Sequence, residues 1–218
     1  MTMTSQDALR GLEDGRSSVR LRAAMAVGTE PEDRFIGPLV ERCAVETEFY
    51  VRDMLTWALT RHPVALTLPA LLRELRSERT QARSQALHTL SKIGDGRAWP
   101  AITRALLCDG DEDVARSAWR AAVVLVPEGE EAGLAGTLAT QLGRGGQETQ
   151  LSLSRALVGL GEGVVPVLRA ASAGAGPAAR AHALATERLL RDPDTGFAFA
   201  IEEAKRVVAL GGAGGEGG

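Results

Sequence analysis

Apolar residues recur at helical spacing along the chain, and one short pattern keeps returning. A small or apolar residue is followed by Arg, then by Ala and Leu along one face. Val19-Arg20 leads to Ala23, Ala26 and Val27, and Val51-Arg52 to Leu55, Ala58 and Leu59. Ala82-Arg83 leads to Ala86 and Leu90, and Ala115-Arg116 to Trp119, Ala122 and Val123. Gln150-Leu151, where the Arg is lost, leads to Leu157 and Val158, and Ala179-Arg180 leads to Ala183. Successive anchors lie 32, 31, 33, 35 and 29 residues apart. Such spacing predicts amphipathic helices, and a near-constant period of this length predicts a stacked helical repeat.

A second series runs between the first. Pro38, Pro69, Pro100 and Pro166 recur at intervals of 31, 31 and 66 residues. Proline is tolerated in the first turn of a helix, where its missing N–H has no partner to lose. Each repeat therefore reads as a helix A opened by Pro and a helix B carrying the Arg. Ser17, Thr47, Thr80 and Asp113 are the expected caps of B helices. Gly28 to Pro31, His62-Pro63, Gly94 to Gly96 and Pro127 to Gly129 are the expected breaks between repeats. The expectation is an all-α stack of about six helix pairs over residues 1–210. A helix over 196–210 would close it, with Glu202, Glu203, Lys205 and Arg206 on its polar side. The Gly-rich residues 211–218 have almost nothing to bury and are expected to be disordered.

Composition agrees with packed helices. Hydrophobic residues make up 44% and aromatic residues only 4%, so the core must be Leu, Val and Ala. A sandwich or barrel would ask for more aromatic and β-branched residues. The formal charge of −3 lacks the basic excess of a dedicated nucleic-acid binder. Arg outnumbers Lys 23 to 2, as a GC-rich coding sequence would produce. The cluster Arg73, Arg76, Arg79 and Arg83 is interrupted by Glu74 and Glu78, which reads as mixed-sign helix pairing. Cys43 and Cys108 have no CxxC spacing and sit two repeats apart, which fits a reduced, cytoplasmic setting. No stretch is long and apolar enough to span a membrane. The opening residues form no signal core.

The B-helix pattern Val19-Arg20-Leu21-Arg22-Ala23-Ala24-Met25-Ala26 resembles bacterial HEAT repeats of the phycobilisome-lyase type, across roughly residues 5–194. The resemblance implies a right-handed α–α superhelix whose B helices line the concave side. It implies an interaction role, with no lyase chemistry. The run Phe49 to Lys92, with Arg97-Ala-Trp99-Pro100 and Ser117-Ala-Trp119-Arg120, is similar to stand-alone HEAT proteins of high-GC bacteria, some of them linked to MerR-type transcription regulators. The segment Glu48 to Leu59 also resembles one helix of the HEAT-like alkylpurine DNA glycosylases, which would make Trp57 a groove aromatic. Those enzymes' Trp-rich, carboxylate-bearing helix has no counterpart here.

Candidate binding residues follow from helix geometry. Positions one, four and eight after the anchor Arg share a face, and this face is more polar than its neighbours. It carries Asp53, Ser84, Ser117, Arg120, Arg155 and Arg188, with Trp57 beside Asp53 as a possible recognition aromatic. These are the expected lining of a concave groove for a partner protein, with DNA as the alternative. The column Arg20, Arg52, Arg83, Arg116 and Arg180 is expected to be structural, because a residue present in every unit serves what every unit needs. Its expected partners are carbonyls or acids of the next repeat. Trp119 falls on an apolar position and belongs to the core. His62, His88 and His182 lack metal-ligand spacing, so no metal is expected. There is no GxSxG, no phosphate-binding loop and no GxGxxG after a strand, so neither catalysis nor a cofactor is expected. A sensing role, with a small ligand held between repeats, names no pocket residues from sequence.

Overall fold

The computed structural model describes residues 4–213. It is all-helical, with 76% of residues in helix and no strand among those described. Thirteen α-helices are described. They are α1 (Ser5–Leu12), α2 (Ser17–Thr29), α3 (Ile36–Cys43), α4 (Phe49–Thr60), α5 (Val64–Glu74), α6 (Thr80–Ile93) and α7 (Arg104–Leu107). After them come α8 (Glu112–Leu125), α9 (Glu131–Ala139), α10 (Gln147–Gly159), α11 (Val165–Gly174), α12 (Pro177–Arg191) and α13 (Phe197–Ala213). The six even-numbered helices from α2 to α12 each hold one anchor of the repeating pattern.

The described chain divides into two compact units. The first comprises residues 4–103 and 113–125, and the second residues 104–112 and 126–213. In the first, Leu12, Ala23, Val27, Leu39, Leu55, Leu59, Leu71, Leu87, Leu90 and Trp119 are fully or almost fully buried. Helices α2 and α4 pack most extensively there. In the second, Leu134, Leu138, Leu153, Leu157, Val164 and Leu168 are buried. A further cluster of Ala181, Ala185, Phe197, Ala200, Ile201 and Ala204 joins α12 to α13. Alanine at so many core positions lets helix backbones approach closely.

Several expected details are different. Pro38 and Pro166 do stand in the first turns of α3 and α11, but Pro69 lies inside α5, which begins at Val64 behind Pro63. Pro100 lies in a 3-10 turn, Gly96–Ala101, ahead of the one-turn helix α7. The expected caps are displaced as well. The cap positions of α2, α4 and α6 are Arg16, Glu48 and Arg79, and none makes a side-chain cap bond. Ser17 and Thr80 are instead the first helical residues, Thr47 precedes the cap, and Asp113 lies inside α8. Residues around these helix starts are exposed, so their free N–H groups face solvent and need no side-chain cap.

The expected link Gly28 to Pro31 does hold the end of α2, at Thr29, although Gly28 itself is still helical. A Cβ at Gly28 would come within 2.2 Å of Trp57 Cζ3. The Trp57 ring therefore lies directly on the α2 backbone. Gly94, by contrast, ends α6 in the left-handed conformation at φ 68°, as the sequence suggested. Helix α13 continues to Ala213, beyond the expected end at residue 210. The rest of the expected tail, residues 214–218, lies outside the described residues.

Candidate functional site

The Arg column works on the links within each unit. Arg20 Nη1 donates to the Asp14 and Gly15 carbonyls at 2.9 and 3.0 Å. Arg52 Nη1 donates to those of Glu46 and Thr47 at 3.1 and 2.6 Å, and Arg83 Nη1 to those of Ser77 and Glu78 at 2.9 and 3.3 Å. Each is the fourth residue of its helix and folds back to hold the turn before it. Where the Arg is lost, Gln150 holds the same fourth position and donates to the Gly143 and Gly145 carbonyls at 3.5 and 3.1 Å. Arg116 pairs with Asp113 at 2.8 Å. Arg180 departs from the pattern, with its Nε buried and unpartnered among the described residues. Arg20 also makes the expected bond to the next repeat, where it reaches Glu46.

Glu46 is a hub that sequence reasoning missed. It is fully buried and accepts from Arg20 Nε and Nη2 at 2.6 and 2.8 Å, Arg42 Nε at 2.9 Å and the Glu48 N–H at 2.9 Å. Burial alone would raise its pKa. The hydrogen bonds from Arg20, Glu48 and Arg42 outweigh that and hold it at about 2. Its backbone carbonyl accepts from Gln81 Nε2 of α6 at 2.6 Å. One residue thus ties α2, α3, α4 and α6 together.

The expected polar face is open in some places and closed in others. Asp53 and Arg120 are exposed, and Trp57 is 39% exposed. Ser84 and Ser117 are buried, which corrects their placement on an open groove. Their hydroxyls meet at 3.0 Å, and Ser84 also donates to the Asp113 carbonyl at 3.2 Å. The two serines are a polar seam where α6 and α8 come close, since a small hydroxyl both fits the space and satisfies a buried carbonyl.

Between Asp53 and Arg120 lies His88 of α6, half-buried. Burial lowers its pKa, the positive charges of Arg120 and Lys92 lower it further, and Asp53 opposes them. Burial likewise lowers the Arg120 pKa, with Arg116 adding to this and Asp113 opposing it. The guanidinium stays charged, but in a partly desolvated setting where a counter-charge is felt strongly. Asp53, Trp57, His88, Lys92 and Arg120 thus form one accessible, electrostatically coupled face of the first unit, with exposed Val124 at its edge. His88 was not among the expected binding residues, although its place in the repeat, between Asp53 and Arg120, was readable.

In the second unit, Arg155 and Arg188 have separate surroundings. Arg188 makes an ion pair with Glu203 and lies 5.4 Å from the Phe199 ring, so it ties α12 to α13. Exposed Arg155 lines a concave pocket of about 650 Å³ with Leu151, Val158, Leu189, Pro193 and Phe197. Among the described residues no group of His, Cys, Asp and Glu could hold a metal ion, and no single helix is long and apolar enough to cross a membrane. Cys43 is buried, and burial pushes its thiol up to about 12, so it is inert as a nucleophile.

No family model matches the chain, and no curated protein matches it. Among solved structures it is similar to the crystal structure of an engineered protein, with 19% identity and a TM-score of 0.48, over 95% of this chain and 97% of that one.

Proposed function

We propose that this protein is a non-enzymatic helical-repeat scaffold of the HEAT type that docks a partner protein. The single observation that carries the reading is the face built from consecutive even-numbered helices, Asp53 and Trp57 on α4, His88 on α6 and Arg120 on α8. Recognition surfaces combine a large aromatic anchor with charges that select the partner. Trp57 is half-open and held rigidly on the Gly28 backbone, so it can bury its ring at little entropic cost. Lys92 and Arg120 favour an acidic side chain on the partner, and Asp53 favours a basic one on the far side. A segment carrying both charges around an apolar residue fits this order.

Capture of the tagged protein from its own cell lysate, with and without nuclease, tests the reading. The variant Asp53→Arg with Arg120→Glu changes only exposed side chains. A stoichiometric protein should survive nuclease with the wild type and fall about tenfold with the variant, at unchanged helicity. Equal recovery with both would exclude this face. Material lost on nuclease treatment would replace the scaffold reading with the DNA-binding one.

A further inference from the structure

We propose that the pocket of the second unit is a binding site for a small amphipathic carboxylate, with its apolar chain inside and its carboxylate on Arg155. The pocket lies between α10 and the segment running from the end of α12 into α13. Its volume of about 650 Å³ is that of a ligand cavity rather than a packing gap. Leu151 and Val158 come from one wall, and Leu189 and Phe197 from the other. Such a lining favours a hydrocarbon chain, whose burial from water is the main source of affinity.

Arg155 decides the headgroup. Arg144, Arg169, Arg188 and Arg191 of the same unit are each engaged by a carbonyl or a carboxylate. Arg155 makes no hydrogen bond or ion pair with any described residue. A free guanidinium at the mouth of an apolar cavity offers a planar fork that matches a carboxylate. Glu148 also lines the pocket. It stands seven residues earlier on α10, about 10 Å along the axis, and its negative charge disfavours a doubly charged phosphate. A monoanion with an apolar tail satisfies the whole lining.

Titration of the isotope-labelled full chain, followed by amide and methyl chemical shifts, tests this with octanoate, 1-octanol and octylammonium as probes. Octanoate should shift Leu151, Val158, Leu189 and Phe197 and bind more tightly than 1-octanol. Arg155→Met should weaken octanoate about tenfold and leave 1-octanol unchanged. Ala198→Trp, an exposed position that fills the cavity, should abolish binding of both while the thermal melt stays cooperative. Failure of octanoate to bind the wild type would overturn the proposal. So would equal binding of octanoate and 1-octanol, tighter binding of octylammonium, or an Arg155→Met variant that holds octanoate as well as the wild type.

Discussion

Glu46 shows how a buried charge is made safe one atom at a time. An unpaired carboxylate in the core would lose several kcal/mol of hydration, yet both of its oxygens are met by guanidinium or backbone donors. Removing the charge leaves Arg20 buried without a counter-ion. Glu46→Gln should therefore destabilise the protein by about 3 kcal/mol in urea unfolding; a loss below about 1 kcal/mol would mean that the pair is no stronger than a surface one. The Arg column was legible in the sequence because it repeats once per unit and so declares a shared task. Glu46 was not, because it occurs once and Arg20 lies 26 residues away. Ser84 and Ser117 misled for a related reason, since a serine on a polar stripe looks the same whether it faces solvent or another serine.

At the scale of the helix, the period in the sequence located all six even-numbered elements, and their boundaries were shifted by a few residues. Apolar spacing reports which face is buried, whereas the ends depend on what the neighbouring turn offers. Pro63 displaced Pro69 as the opening of α5 in this way. Gly28 is the clearest case of a local signal with a tertiary cause. It stands one residue before the end of α2, in the link the sequence marked, and the Trp57 ring occupies the space its Cβ would need. Overpacking at such a contact typically costs 1–3 kcal/mol. Gly28→Ala is expected to lower stability by about 2 kcal/mol and to raise the exposure of Trp57, read as a red shift and easier quenching of its fluorescence. An unchanged melting point with unchanged Trp57 emission would contradict that packing.

At the scale of the molecule, the two units should respond to acid in different windows. His182 of the second unit is fully buried and neutral: its Nδ1 accepts from the Gly143 N–H at 3.0 Å, and its Nε2 donates to the Gln150 carbonyl at 2.9 Å. Burial lowers its pKa from 6.5 to about 4, with the bond to Gln150 opposing. The unfolded chain therefore binds the proton first, so stability is complete above pH 6.5 and is lost as pH falls toward 4, by about 3 kcal/mol in all. Glu46 of the first unit has a folded pKa of about 2 against 4.5. Its contribution is complete above pH 4.5 and is lost only below it. Amide protection, after correction for the pH dependence of intrinsic exchange, should fall around Gly143 and Gln150 between pH 6.5 and 4, while amides around Glu46 keep their protection until lower pH. Simultaneous loss in both regions would show that neither group sets the acid response.

The sequence by itself determined the helical class, the positions of the repeated helices and the structural character of the Arg column, while the structure turned Arg20, Arg52, Arg83 and Gln150 back on the preceding turn. Those features depend on residues close together in the chain and repeat along it. Tertiary structure alone decided which polar positions are open. It closed Ser84 on Ser117, opened Asp53 and Arg120 around His88, and set Arg155 at the mouth of an apolar pocket while binding Arg188 to Glu203. Exposure depends on what comes to lie opposite a side chain, and that partner sits tens of residues away with no periodic mark to announce it.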